Sequence, residues 1–331
     1  MFLYDFISGI KKPLPLVPEI WLLNNRFFGK LAQFFLLNNI VCKMMGFILC
    51  SRWSSVLLNI TRISRLINQQ ADLIFRKFKY RTLNEAFIHR YENNIYPDDK
   101  NNDFIVAPAS AYLSIRDIND GLAEFFPGVT IDIKTMLADT TGDYDQGKLM
   151  VFTLKPFHDH TIDFPVNCKI QGPLREFAKN RFRVDSTDLH LAKASKGKPT
   201  LQNNHRVVAI LQAESFDEKL AMAEIGANVV NSIEQDYDNT KTKFTKGQQK
   251  SHFNYGSTVV LVLSNNLAKK TRFIDEIYQN ASKPTGTCQV KRGTALLYDN
   301  NTESGTYQIA DDISLQLTRQ GNKIIETINR N

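Results

Sequence analysis

Two short stretches of this 331-residue chain concentrate the side chains that do covalent or acid–base chemistry. The first is LKPFHDHTIDFPVNCKI, residues 154–170, in which His158, Asp159 and His160 are consecutive and Asp163 follows three residues later. Imidazoles titrate near neutral pH, so such a cluster suits proton transfer or metal binding. Alternate residues of an extended chain share a face, which turns His158 and His160 toward one site and Asp159 away from it. No third ligand is placed by spacing, so no metal site is expected. The second stretch is FNYGSTVVLVL, residues 253–263. Counted by twos, Phe253, Tyr255, Ser257, Val259, Leu261 and Leu263 fall on one strand face, and a hydroxyl on an apolar face needs a partner. Gly256 weakens the strand just where that hydroxyl sits and marks a bulge or an unusual backbone. The plain structural alternatives are an exposed polar loop for the first stretch and a locally bonded serine for the second.

Other histidines carry less. His252 adjoins the Gly-Ser segment, whereas His89, His190 and His205 read as surface or strand-edge residues. No Walker A loop, G-x-G-x-x-G, G-x-S-x-G or H-E-x-x-H is present.

The elements that must hold these stretches change character along the chain. Residues 1–80 read as helix, with long apolar runs and helical spacing at Leu57, Ile60, Ile63, Leu66 and Ile67, although Pro13, Pro15 and Pro18 interrupt any helix near the start. YENNIYPDDKNN, residues 92–103, reads as a linker. Then FIVAPASAYLSI, KLMVFTL, FPVNCKI, HRVVAILQA, GANVVNSI, STVVLVL and GTALLY follow as short apolar runs between turn signals, the rhythm of a mainly β domain. FDEKLAMAEIG, residues 216–226, carries a helical pattern that a strand also fits. The expected class is α+β: a helical N-terminal layer over residues 1–80, then a mainly antiparallel β domain over 81–331.

The net charge of +7 is unevenly spread: residues 1–90 hold thirteen Lys/Arg against four Asp/Glu, so the rest of the chain is slightly acidic. That distribution argues against a general nucleic-acid surface. The basic segment is also apolar and Trp-bearing, which suits a membrane interface, but Asn38, Asn39 and Lys43 break the run that a spanning helix needs. Cys42, Cys50, Cys168 and Cys288 show no C-x-x-C spacing, so reduced thiols in a cytoplasmic setting are expected.

Taken in order, several stretches resemble the phosphatidylserine decarboxylases, which are self-processing pyruvoyl enzymes. FNYGSTVVLV is similar to the family's F-x-x-G-S-T-V, and TKGQQKSHF resembles its K-G-x-x-x-G-x-F lead-in with Ser251 at the second glycine. HRVVAILQAE followed by AEIGANVVNSIE resembles N-x-R-V and V-G-A-x-x-V-x-S-I. LKPFHDHTIDFPVNCKI resembles L-x-P-x-D-Y-H-R-x-H-x-P-x-x-G, VAPASAYLSI resembles V-x-P-A-D-G-x-I, and TLNEAFIHRY matches the F-F-x-R region. The resemblance runs from about residue 80 to 300.

It implies that the Ser257 hydroxyl attacks the Gly256 carbonyl, that the chain divides into 1–256 and 257–331, and that residue 257 becomes a pyruvoyl group. That group forms a Schiff base with a substrate amine and draws electrons as carbon dioxide leaves, so no external cofactor is implied. The implied substrate is phosphatidylserine, the implied product phosphatidylethanolamine, and the implied setting a phospholipid membrane surface contacted peripherally from the cytoplasm. The two cleaved chains would stay together as a heterodimer, and a homodimer of these is open. The resemblance also marks departures. The family's P-A-D-G aspartate falls on Ser110 and its glycine on Ala111. The first histidine of H-x-x-H falls on His160, the second on Asp163, and the aspartate of D-Y-H on His158. Two of three triad positions are therefore changed, and His158 or His160 oriented by Asp163 would make a rearranged triad of the same residue types. The other readings are a decarboxylase of another amine, such as a free amino acid, and a non-processing relative with a binding or regulatory role.

Overall fold

The computed structural model describes residues 2–13, 104–178 and 201–330, apart from 127, 156–157, 227–231, 255–256, 285, 311 and 322, together with scattered positions between 44 and 88. The apolar β-branched runs form strands as their composition requires. They build one large sheet with spatial order Lys243–Phe244, Cys168–Ile170, Arg206–Ala213, Glu218–Gly226, Ser257–Leu263, Lys148–Thr153, Ala111–Asn119, Thr287–Val290, Phe2–Asp5, Ile10–Pro13. Neighbours pair antiparallel except Phe2–Asp5 with Thr287–Val290, which is parallel. A small sheet of Ile233–Gln235, Gln249–Phe253 and Thr161–Asp163 stands against it.

The large sheet is buried on both faces. Met150, Phe152, Leu220, Met222, Val259 and Leu261 enter one core, and Leu149, Val151, Ala221, Ala223, Val260 and Val262 the other. The expectation of a single apolar face for 253–263 is thus too narrow, because Ser257–Leu263 is a central strand with Glu218–Gly226 on one side and Lys148–Thr153 on the other. The same double burial explains residues 216–226. Their alanines and aliphatics fill both cores, which erases the period-two signal, and Glu218–Gly226 is a strand.

Most of the segment expected to be helical, 1–80, and all of 92–103 lie outside the described residues. Met44, Phe47, Ile48, Cys50 and Ser54 are helical. The first thirteen residues depart from that expectation: Phe2–Asp5 and Ile10–Pro13 are strands, folded back on each other through Gly9 at φ +67. They are held because Leu3 and Phe6 are buried. Beyond residue 300 a three-stranded sheet, Gly305–Ala310, Ile313–Gln320 and Lys323–Arg330, lays Ile313, Leu315 and Leu317 on the first core.

Candidate active site

Strand pairing brings the two chemically promising stretches side by side. Thr258 stands opposite Thr153 and, at the other end, His252 stands opposite Thr161. The segments 154–160 and 253–257 therefore begin and end at paired residues, and the Phe253 N–H donates to the His160 carbonyl at 3.0 Å. On its other side Ser257, the first residue of its strand, is opposite Gly226. Gly226 is fixed in turn, since the Asn204 side-chain amide donates to its carbonyl at 2.8 Å and its own N–H donates to the His205 carbonyl at 2.8 Å. Upstream of the gap, Asn254 is held by Asn84 at 2.7 Å and by the Ser232 hydroxyl at 3.1 Å.

The H-D-H segment is not an exposed loop: His158, Asp159, His160 and Asp163 are all buried. Asp159 does turn away, toward Arg292, whose Nη1 lies 2.9 Å from its Oδ1. Arg292 also bonds the Thr161 hydroxyl and lies 3.3 Å, through Nε, from Asp163 Oδ2, while its main-chain N–H donates to Ser110 Oγ at 3.0 Å. One guanidinium thus gathers alternate positions 159, 161 and 163, and the turn that carries it, between Thr287–Val290 and Ala295–Asp299, meets Ser110. Arg292 is itself fully buried. It lies in QVKRGTALLY, which carries no local signal for this role. The ion pair gives Asp163 a guanidinium partner at the position where the resemblance expects a histidine.

His158 takes the Lys155 N–H on Nδ1 at 3.0 Å, which leaves the ring proton on Nε2, and its ring meets Tyr112 edge-on at 5.3 Å. Burial above all, then the charges of His160 and Lys155, push its pKa down to about 3. Unfolded, the imidazole binds a proton below about pH 6.5, while folded it stays neutral down to about 3. Stability from this group is therefore complete above 6.5 and falls with acidification by about 1.4 kcal/mol per pH unit. His158→Gln is expected to flatten the acid limb of the stability profile between pH 6.5 and 4, measured by denaturant titration at several pH values.

His252 has the opposite sense. The Asp236 carboxylate, 2.9 Å from Nδ1, raises its pKa against the effect of burial. That contribution is present below its unfolded value and is lost as pH rises through the raised one. His205, expected at a surface or strand edge, is buried and lies 2.9 Å from Glu176 Oε1, just before the strand Arg206–Ala213, which Arg175–Phe177 pairs alongside. Among the described residues no cluster of three His, Cys, Asp or Glu has metal-site geometry.

Comparison with known proteins identifies the family. A family model described as Phosphatidylserine decarboxylase matches residues 83–296. A relative named Phosphatidylserine decarboxylase proenzyme from Geobacillus kaustophilus (strain HTA426) is 27% identical over 224 residues, covering 66% of this chain and 80% of its own. The proteins of the same name from Bacillus subtilis (strain 168) and Fusobacterium nucleatum subsp. nucleatum are each 29% identical, over 192 and 208 residues, covering 55% and 61% of this chain and 67% and 66% of their own.

Proposed function

Because the chain belongs to the phosphatidylserine decarboxylase family of pyruvoyl-dependent carboxy-lyases, we propose that it cuts itself between Gly256 and Ser257 and decarboxylates phosphatidylserine to phosphatidylethanolamine. The observation that supports this reading is that Thr153 pairs with Thr258 and Thr161 with His252, so the segment carrying His158 and His160 and the segment carrying Gly256 and Ser257 are joined at both ends. In the proposed reaction the Ser257 hydroxyl adds to the Gly256 carbonyl and the peptide becomes an ester. Loss of the residue 257 α-proton expels the Gly256 carboxylate. Water then releases ammonia and leaves a pyruvoyl group at the head of 257–331. His158 uses its Nδ1 lone pair on Lys155, so the proton acceptor assigned here is His160. Glycine at 256 tolerates the bent backbone that attack requires.

The pyruvoyl carbonyl supplies a site for the substrate amine and a sink for the electron pair released with carbon dioxide. The exposed Met44, Phe47 and Ile48, spaced for one helix face, with exposed Arg52 nearby, support peripheral contact with an anionic lipid surface. No helix among the described residues is long and apolar enough to cross a membrane.

A second reading, a relative that stays whole and binds rather than catalyses, is favoured by the Asp163–Arg292 pair, which commits the carboxylate elsewhere. Intact mass and carbon dioxide release decide between them. The expected result is two chains, 1–256 and 257–331, slowed strongly in His160→Ala, with release from phosphatidylserine vesicles exceeding that from free serine. Release from free serine alone would move the substrate to a small amine, and a persistent single chain would favour the second reading.

A further inference from the structure

A second buried polar cluster lies outside the H-D-H segment. Lys250 and Glu224 are both fully buried. Lys250 Nζ donates to Glu224 Oε1 and to Gln235 Oε1, each at 2.7 Å. Ser251 Oγ donates to the same Glu224 Oε1 at 2.6 Å, and Gln235 Nε2 donates to Oε2 at 2.7 Å. Adjacent residues of a regular strand point to opposite faces, yet here residues 250 and 251 reach a single oxygen. The cause is a bulge. Gln249 is opposite Asp163 and Ser251 is opposite Ile162, so Lys250 is the extra residue.

That bulge sets the phase of everything downstream. It puts His252 opposite Thr161 and brings the Phe253 N–H to the His160 carbonyl. Were it lost with Gln249 still opposite Asp163, Ser251 would face Thr161, and the chain entering Gly256 would shift by one residue with its faces exchanged. Glu224 lies two residues before Gly226, the residue opposite Ser257, so the carboxylate that grips the bulge stands on the strand that borders the proposed cleavage point. A buried ion pair adds little net stability over an apolar replacement, and specifying register is its best-attested use.

We propose that the Lys250–Glu224 pair is a register lock: it holds the bulge at Lys250 and so presents the Gly256–Ser257 bond to the H-D-H segment. The consequence for cleavage rests on the proposed function above. Lys250 and Glu224 are positioning residues, acting through the backbone of Gln249–Phe253.

The test is the charge-free pair Lys250→Met with Glu224→Gln. Removing both charges keeps the melting temperature within about 5 °C of the parent. Self-cleavage slows at least about tenfold. Lys250→Arg, which retains the charge, restores cleavage to within about threefold. A crystal structure of the pair in a Ser257→Ala background reads the register directly, with Ser251 rather than His252 opposite Thr161. A retained bulge, or cleavage at the parent rate, overturns the proposal. If that pair does not fold, Lys250→Gln with Glu224→Gln, which also removes both charges but keeps hydrogen-bonding side chains, carries both readouts. If the parent does not cleave at all, the functional reading falls, while the residue opposite Thr161 still decides whether the lock exists.

Discussion

Ser257→Ala is expected to run as one chain of 37.8 kDa, where the proposed self-cleavage of the parent gives 1–256 and 257–331. The variant removes one oxygen, so its fold and melting temperature stay close to the parent's, within about 1 kcal/mol. The reaction has no substitute nucleophile at this position. Thr258 alternates to the other face of the strand, toward the core that holds Val260 and Val262, and the nearest serine upstream, Ser251, is committed to Glu224. Loss of the attacking group lowers the rate by roughly a thousandfold or more, as removal of a nucleophile does elsewhere. Intact mass spectrometry over days of incubation checks it. Fragments at 256/257 from the alanine variant would assign the cut to an outside protease and remove Ser257 from the mechanism.

Arg292→Met is expected to be the most destabilising single change near the site, by about 3–5 kcal/mol, because it strands two buried carboxylates. Asp159 and Asp163 are 4% and 0% exposed, so neither has water to replace the guanidinium. Arg292→Lys should recover little, since one ammonium cannot span Asp159, Thr161 and Asp163 as the planar fork does. Arg292→Met combined with Asp159→Asn and Asp163→Asn should recover most of the loss, because the charges leave together. Denaturant midpoints of the three variants check this, and equal midpoints for the single and triple variants would refute an electrostatic origin. The arrangement also bears on processing. Arg292 lies C-terminal to the proposed cut and both carboxylates N-terminal to it, so the pair would bind the two fragments to each other after cleavage.

Much of the β domain was legible because its signals are local. STVVLVL, HRVVAILQA and KLMVFTL become strands as their composition predicts. The H-D-H and Gly-Ser-Thr stretches were picked out by residue type alone, and the pairings through Thr153 and His252 do bring their segments together. Local reading failed where burial has two sides. Residues 216–226 lose their alternation because both faces are core, and the burial of His205, expected at a surface or strand edge, involves Glu176, 29 residues away in sequence.

What the sequence by itself determined is the kind of chemistry on offer: an imidazole pair, a Gly-Ser bond in a strand, and a β scaffold to carry them. Tertiary structure alone decided how those parts are held. Arg292 reaches Asp159 across 133 residues, Glu224 reaches Lys250 across 26, and the bulge at Lys250 exists only against its partner strand. Such contacts leave no local trace, because the free energy of a buried charge depends on which distant group shares its cavity rather than on its neighbours in the chain.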